Sequence, residues 1–155
     1  LRFKEPISFL SQENFIVDKK SIFYNICLKD KEDAKDRDLI QFQKVVEIAN
    51  LQDLLTKLRL KDDTILHENG SNISGGEKQR ICLARSLFSN NQFIIMDEPF
   101  SSIDKQNSNE IFKKVLKETE NKTLILSNHK KIDLKKFNKI FFFEESQLIK
   151  IKKIK

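Results

Sequence analysis

The sequence is poor in the residues that break, bend or cross-link a chain. Its 155 residues hold three glycines, two prolines and two cysteines, and tryptophan is absent. The cysteines, Cys27 and Cys82, stand far apart and fit no metal or redox spacing, so we expect small buried thiols in a reducing compartment. No run of about 18 apolar residues occurs, and no segment is therefore predicted to span a membrane.

The charge pattern favours an ordinary solvated surface over a binding surface for nucleic acid or anionic lipid. The chain carries 29 Lys and Arg against 23 Asp and Glu, a formal net charge of +6. The lysines are spread along the chain, and no aromatic residues alternate with the densest cluster, at residues 150–155, as base-stacking platforms would. The chain opens on Leu1 and its only methionine is Met96, so we expect a piece of a longer protein.

Two of the three glycines stand side by side, at Gly75 and Gly76, before a helical pattern. Ser74 before them and Glu77 after them match the S-x-x-E capping box, which stabilises the start of a helix without any ligand. Glycines at the start of a helix also suit a phosphate site, because the backbone approaches closely and the first N–H groups attract anions. The residues alone leave both interpretations open.

Hydrophobic periodicity divides the chain into strands and helices. Strands are predicted at residues 6–10, 93–96, 123–127, 139–143 and 147–151. Helices are predicted at residues 21–26, 38–60, 75–89, 105–119 and 130–137. The apolar runs at 93–96 and 123–127 are typical of strands covered on both faces of a parallel sheet. Arg80 and Arg85 are expected at the solvent or at an interface.

Polar residues follow both of the strands that are predicted to be buried. Asp97 and Glu98 come directly after residues 93–96, and His129 follows residues 123–127 closely. Adjacent carboxylates at such a place are costly unless they have partners or a task. They suit a metal–phosphate site, in which one carboxylate holds Mg²⁺ through its water shell and the other acts on the attacking water. Solvated acids at a strand-to-turn boundary are the alternative.

The ordered set of these pieces resembles the nucleotide-binding domain of ABC ATPases, over essentially the whole chain. Gln12 stands where that family has its Q-loop glutamine, and residues 73–77, ISGGE, resemble the signature motif LSGGQ. Residues 93–98, FIIMDE, resemble the Walker B strand with its catalytic glutamate. Residues 102–104 resemble the D-loop, and His129 resembles the switch histidine.

A narrower similarity points to exporter-type domains. Residues 21–26, SIFYNI, resemble the segment that follows the exporter Q-loop, and residues 64–70 resemble the exporter X-loop, with Glu68 and Gly70 kept. The resemblance implies two partners: a second ABC ATPase domain in a head-to-tail dimer, and a transmembrane domain contacted through the Q-loop and Glu68. It also implies a location at the cytoplasmic face of a membrane, and no nucleic acid as a partner.

The resemblance further implies an α/β fold: the carboxyl-terminal part of a RecA-like P-loop NTPase sheet, with an inserted helical subdomain that carries the signature. Residues 1–20 and 91–155 are then core, and residues 21–90 are the helical subdomain. The implied ligands are ATP and Mg²⁺.

The roles implied for the site residues follow the family's motifs. Asp97 would hold Mg²⁺ through water, and Gln12 would complete its coordination. Glu98 would orient or deprotonate the attacking water, and His129 would bond the γ-phosphate. The signature motif would bind the γ-phosphate of the ATP that is held mainly by the partner domain. Asp104 would couple the two nucleotide sites across the interface between the domains. The signature residues concerned are Ser74, Gly75, Gly76 and Glu77.

One motif of the family is absent from the sequence. The loop G-x-x-x-x-G-K-[ST], which cradles the phosphates, has no counterpart among the 155 residues. We therefore expect a chain that lacks the amino-terminal half of the domain and that hydrolyses no ATP by itself. The alternatives to an exporter ATPase are a non-transport ABC-type ATPase and a catalytically inactive interaction module.

Overall fold

The computed structural model describes residues 5–129, 133–145 and 147–154, with the backbone alone for residues 134 and 144. The strands are β1 Ile7–Leu10, β2 Phe93–Asp97, β3 Thr123–Ser127, β4 Lys139–Glu144 and β5 Gln147–Lys153. The helices are α1 Ile22–Cys27, α2 Asp36–Ile48, α3 Gln52–Lys57, α4 Gly75–Phe88 and α5 Lys105–Glu118. Short 3₁₀ turns lie at Lys31–Asp33, Lys61–Asp63, Glu68–Gly70 and Leu134–Lys136.

A parallel sheet in the order β1-β2-β3 forms the centre of the α/β part. The register pairs Leu10 with Met96 and Asp97 with Ser127, so the carboxyl ends of all three strands lie at the same edge. Parallel neighbours need a long crossover. The crossover from β1 to β2 contains α1 to α4, and the one from β2 to β3 contains α5. The predicted order of strands and helices is confirmed up to the end of β3.

The helical block is held together by α4, in which seven of the 14 residues are buried. Its buried residues are Gln79, Ile81, Cys82, Leu83, Ala84, Ser86 and Leu87. The helical pattern predicted at residues 38–60 is present as two helices, α2 and α3, with a break between them. Asn50 lies in the break with φ of 50°, a left-handed conformation that an α-helix cannot continue through. Two hydrogen bonds hold the break in place: Arg80 donates to the Asn50 carbonyl at 2.9 Å, and Lys114 donates to Asn50 Oδ1 at 2.6 Å.

The prediction that residues 123–127 are covered on both faces is also wrong for the described chain. The side chains of β3 alternate between exposed and half-buried, and Ile125 is 56% exposed. On β1, Phe9 is likewise 61% exposed. β4 and β5 form a separate antiparallel hairpin with a register shift between Phe142 and Phe143. Of the helix predicted at 130–137, residues 130–132 lie outside the described residues, and the remainder contains a 3₁₀ turn.

Both cysteines are buried free thiols, as predicted. Burial raises the pKa of Cys27 to about 12, and burial also raises the pKa of Cys82. Because the thiolate is the reactive form, both thiols are poor nucleophiles in the folded chain. Across the described ranges, every helix is too short or too polar to span a bilayer.

Candidate functional site

The carboxyl ends of the three parallel strands bring most of the predicted chemistry together. Gln12 lies two residues beyond β1, and Asp97 and Glu98 lie at the end of β2. His129 lies two residues beyond β3. Ligands of open parallel α/β sheets bind outside this edge. The topology therefore places these four residues at one edge of the sheet.

Asp97 and Glu98 share a partner that the sequence analysis did not single out. The hydroxyl of Ser127 donates a hydrogen bond to Oδ1 of Asp97. The same hydroxyl oxygen accepts from the backbone N–H of Glu98 at 3.2 Å, and the Ser127 carbonyl lies 3.3 Å from that nitrogen. The last residue of β3 thus orients both acids. Its signal in the sequence is only a serine at a strand end, which is common.

Glu98 has an unusual backbone. Its φ is 49°, in the left-handed region that non-glycine residues occupy at a cost of order 1–3 kcal/mol. Such a conformation persists only where the surroundings fix it. The N–H of Glu98 is held by Ser127, and its carbonyl accepts from Gln79 Nε2 at 2.8 Å and from the Ser101 N–H at 3.2 Å.

His129 faces the Glu98 carboxylate from the end of the neighbouring strand. Its Nε2 lies 3.4 Å from Oε1 of Glu98. The two side chains differ in environment, because 95% of the His129 side chain is exposed and only 8% of that of Glu98 is. An exposed imidazole, whose ring N–H can donate a hydrogen bond, thus lies next to a buried carboxylate, which can accept one.

The residues of the signature-like turn form the capping box at the start of α4. The Glu77 N–H donates to Ser74 Oγ at 3.2 Å, and the Ser74 N–H donates to Glu77 Oε2 at 2.7 Å. The ligand-free interpretation of this turn is therefore realised. It does not exclude an anion, because the first N–H groups of an α-helix have no acceptor within the helix and carry partial positive charge.

The two glycines of this turn have different surroundings. A Cβ added to Gly75 would meet no described atom within 4 Å, so the backbone there is open to a ligand. A Cβ added to Gly76 would lie 2.9 Å from the Ser102 carbonyl oxygen, which is closer than real Cβ atoms come. Gly76 therefore lets α4 pack directly on the loop that follows Glu98.

Asp104 and Glu68 both lie on the surface. Asp104 caps α5: its Oδ1 accepts from the Asn107 N–H at 3.0 Å, and its Oδ2 accepts from Asn107 Nδ2 at 2.7 Å. These bonds, that of the Asn107 side chain first, lower the pKa of the Asp104 carboxyl. Glu68 begins the 3₁₀ turn Glu68–Gly70, where Gly70 takes φ of 59°. Both acids are available to another domain.

The prediction that Arg80 and Arg85 face solvent or an interface is wrong, because both are tied inside the chain. Arg85 donates to the carbonyls of Phe15 at 2.8 Å and of Asn25, and to Asn25 Oδ1 at 3.0 Å. Asn25 is fully buried and also bonds Val17 in both directions. Burial lowers the pKa of Arg85. Periodicity gave no signal for this role, since the acceptors are mainly backbone carbonyls.

Gln79 is a further residue that sequence reasoning missed. It lies in α4, it is 1% exposed, and it bonds the loop after β2 with both ends of its amide. The apolar stripe of α4 placed Ile81 and Ala84 inward and gave no reason to place a polar residue there. Only the structure, in which Gln79 faces the loop after β2, reveals it.

Comparison with known proteins gives a consistent result. Residues 2–101 match the family described as ABC transporter. The lacticin-481/lactococcin-DR transport/processing ATP-binding protein lcnDR3 of Lactococcus lactis subsp. lactis is 34% identical over 94% of this chain and 21% of its own length. The leukotoxin translocation ATP-binding protein LktB of Mannheimia haemolytica is 30% identical over 94% of this chain and 20% of its own length. The chain thus spans about a fifth of these relatives.

A solved structure shows the same fold. A bacterial Atm1-family ABC exporter with ATP bound superposes with a TM-score of 0.80 at 23% sequence identity. The match covers 94% of this chain and 24% of that one. The α/β fold class predicted from the sequence is confirmed.

Proposed function

Because this chain belongs to the ABC transporter family, we propose that it is part of the ATP-hydrolysing domain of an exporter-type transporter. It would act with the phosphate-binding loop that its 155 residues lack and with a second ABC ATPase domain; we call this combination the assembled ATPase. The names of two relatives refer to transport or translocation, which supports the exporter type. The helical subdomain would comprise residues 21–90, between core residues 1–20 and 91–155.

The single observation that carries this proposal is the arrangement at the end of β2. A buried Glu98 carboxylate lies beside Asp97 and 3.4 Å from the His129 imidazole, and its backbone is fixed in a strained conformation. Phosphoryl transfer depends on positioned charge and a positioned nucleophile more than on covalent chemistry. A buried carboxylate on a fixed backbone, with a hydrogen-bond donor beside it, meets that need.

The donor set fits Mg²⁺ bound together with nucleotide phosphates. Among the described residues, no three His, Cys, Asp or Glu side chains cluster as a metal site. Mg²⁺ in nucleotide sites takes only one or two carboxylates, and phosphates and waters complete the shell. Asp97, oriented by Ser127, is the carboxylate that fits, and Gln12 would add an amide oxygen. When bound, the ion would neutralise charge on the phosphates.

Each residue at the strand ends then has a distinct task. Glu98 would orient the attacking water and accept its proton, since its carboxylate is fixed beside the edge where ligands bind. His129 would donate a hydrogen bond to an oxygen of the γ-phosphate, where negative charge must be stabilised. Its exposure leaves it free to turn toward a nucleotide.

The signature turn would serve a different nucleotide from that of Glu98. Ser74, Gly75, Gly76 and Glu77 would present the start of α4 to the γ-phosphate of the ATP held mainly by the partner domain. The open space at Gly75 supports a close approach of that ligand. Asp104, exposed at the start of α5, would couple the two sites across the interface. Glu68 and the Q-loop would contact the transmembrane domain, at the cytoplasmic face of the membrane.

Mg²⁺-dependent release of phosphate from ATP by the assembled ATPase tests the proposal. We expect turnover in the usual range of about 1–100 s⁻¹ that is lost when EDTA removes Mg²⁺. Phosphate release equal to that of an EDTA control would exclude the ATPase and favour an inactive interaction module. A rate of hydrolysis that changes when the transmembrane domain is added in lipid would support the exporter type, and a rate that does not change would favour a non-transport ABC-type ATPase.

A further inference from the structure

We propose that Gln79 is a positioning residue that fixes Glu98 from α4, an inference that rests on the proposed function of Glu98. Gln79 would touch neither nucleotide nor water. Its Nε2 donates to the Glu98 carbonyl at 2.8 Å and to Ser101 Oγ at 2.9 Å, and its Oε1 accepts from the Ser102 N–H at 2.7 Å. One buried amide thus bonds the backbone at both ends of the turn that begins at Glu98.

The need for this contact comes from the backbone of Glu98. Its φ of 49° places the residue in a conformation that must be held from outside. From the side of β3, Ser127 holds the N–H. From the side of α4, Gln79 holds the carbonyl. Without the Gln79 amide, Glu98 is held only by Ser127 of β3 and by the hydrogen bond within its own turn. Its carboxylate is then free to leave its place beside His129.

A second contact joins the same two elements. Gly76, in the first turn of α4, packs so closely on the Ser102 carbonyl that a Cβ would lie 2.9 Å from it. The turn after Glu98 therefore rests on α4 at two points, Gly76 and Gln79, three residues apart. Since the signature turn and Glu98 would serve different nucleotides, Gln79 links the two nucleotide sites through the body of one chain.

The test replaces Gln79 with methionine in the assembled ATPase. Methionine is similar in volume and flexible, and it removes all three hydrogen bonds without adding charge. We expect kcat to fall about 10- to 100-fold, as a displaced catalytic group would cause, while the KM for ATP changes less than threefold. Ser101→Ala removes one of the three bonds at an exposed position, and we expect it to lower kcat about threefold with unchanged KM.

Gln41→Met is the matched control. Gln41 also donates its Nε2 to α4, to the Leu87 carbonyl at 3.3 Å, but at the end of the helix far from Glu98. We expect its kcat to stay within twofold of the unmodified protein. A kcat for Gln79→Met that equals that of the control would overturn the inference. The inference would also be overturned if Gln79→Met changed kcat and KM to the same extent and lowered the melting temperature, because that result indicates a structural role.

Two further outcomes separate this inference from the proposed function. If Gln79→Met fails to fold, Ser101→Ala decides, and unmodified kcat in that variant overturns the inference. If the unmodified assembled ATPase shows no Mg²⁺-dependent turnover, the proposed function itself fails and the inference falls with it. Normal turnover in the unmodified protein and in both variants would overturn the role of Gln79 alone.

Discussion

In the assembled ATPase, Glu98→Gln lowers the rate of ATP hydrolysis by about 100- to 10,000-fold and leaves ATP binding intact. The amide has the shape of the carboxylate but cannot accept the proton of the attacking water. The contacts that fix residue 98 involve its backbone N–H and carbonyl, so they survive the exchange. Initial rates of phosphate release, together with equilibrium binding of ATP, measure the two effects separately.

Glu110→Gln is the control for the loss of one negative charge. Glu110 is exposed on α5, where its carboxylate lies 3.0 Å from Lys114 Nζ. We expect this variant to retain the unmodified rate, because an exposed i,i+4 ion pair contributes little. Turnover of Glu98→Gln within tenfold of the unmodified protein would show that another group acts on the water. Loss of ATP binding in the same variant would show that Glu98 contributes to the binding of ATP before hydrolysis.

The second large effect concerns the 155-residue chain by itself, which we expect to hydrolyse no ATP above background. Its glycines are Gly70, Gly75 and Gly76, and none belongs to a loop with the lysine that neutralises phosphate charge. Positioning and charge neutralisation are nearly all of phosphoryl-transfer catalysis. Phosphate release is measured at saturating Mg-ATP, with the assembled ATPase as the positive control. Mg²⁺-dependent turnover by the purified chain would contradict the assignment of a missing loop.

The structure could be predicted best where a local pattern of residues specifies one structure. The capping box of Ser74 and Glu77, the apolar strand before Asp97 and the burial of Cys27 and Cys82 were all predicted from local patterns, and all are present. The break at Asn50 lies between two apolar stripes of the helical pattern at residues 38–60. The apolar positions of α2 and α3 are out of phase by more than a helix allows, and two short helices explain that shift.

The rest depended on contacts that no local pattern encodes. Whether the side chains of β3 are exposed depends on which parts of the described chain pack over the sheet. The apolar sequence of β3 shows only that this strand suits a sheet that is covered on both faces. Gln79 and Arg85 bind backbone carbonyls far away along the chain, and a carbonyl is the same at every residue. The left-handed backbone of Glu98 is likewise set by its neighbours in space.

The central claim is that the signature turn completes a nucleotide site on a partner domain. The most direct measurement is oxidative cross-linking of Ser74→Cys to a cysteine placed in the phosphate-binding loop of the partner domain only. It is made in the Glu98→Gln assembled ATPase, which should hold ATP without consuming it. Cys27 and Cys82 interfere little, because burial raises the pKa of each thiol.

The proposed arrangement predicts a covalent link between the two domains that forms with ATP and is nearly absent without it. Moving the loop cysteine from the partner to the domain that carries Ser74→Cys should abolish the link. A cross-link that forms only within that one domain, or equally with and without ATP, would contradict the claim that this turn serves the partner's nucleotide.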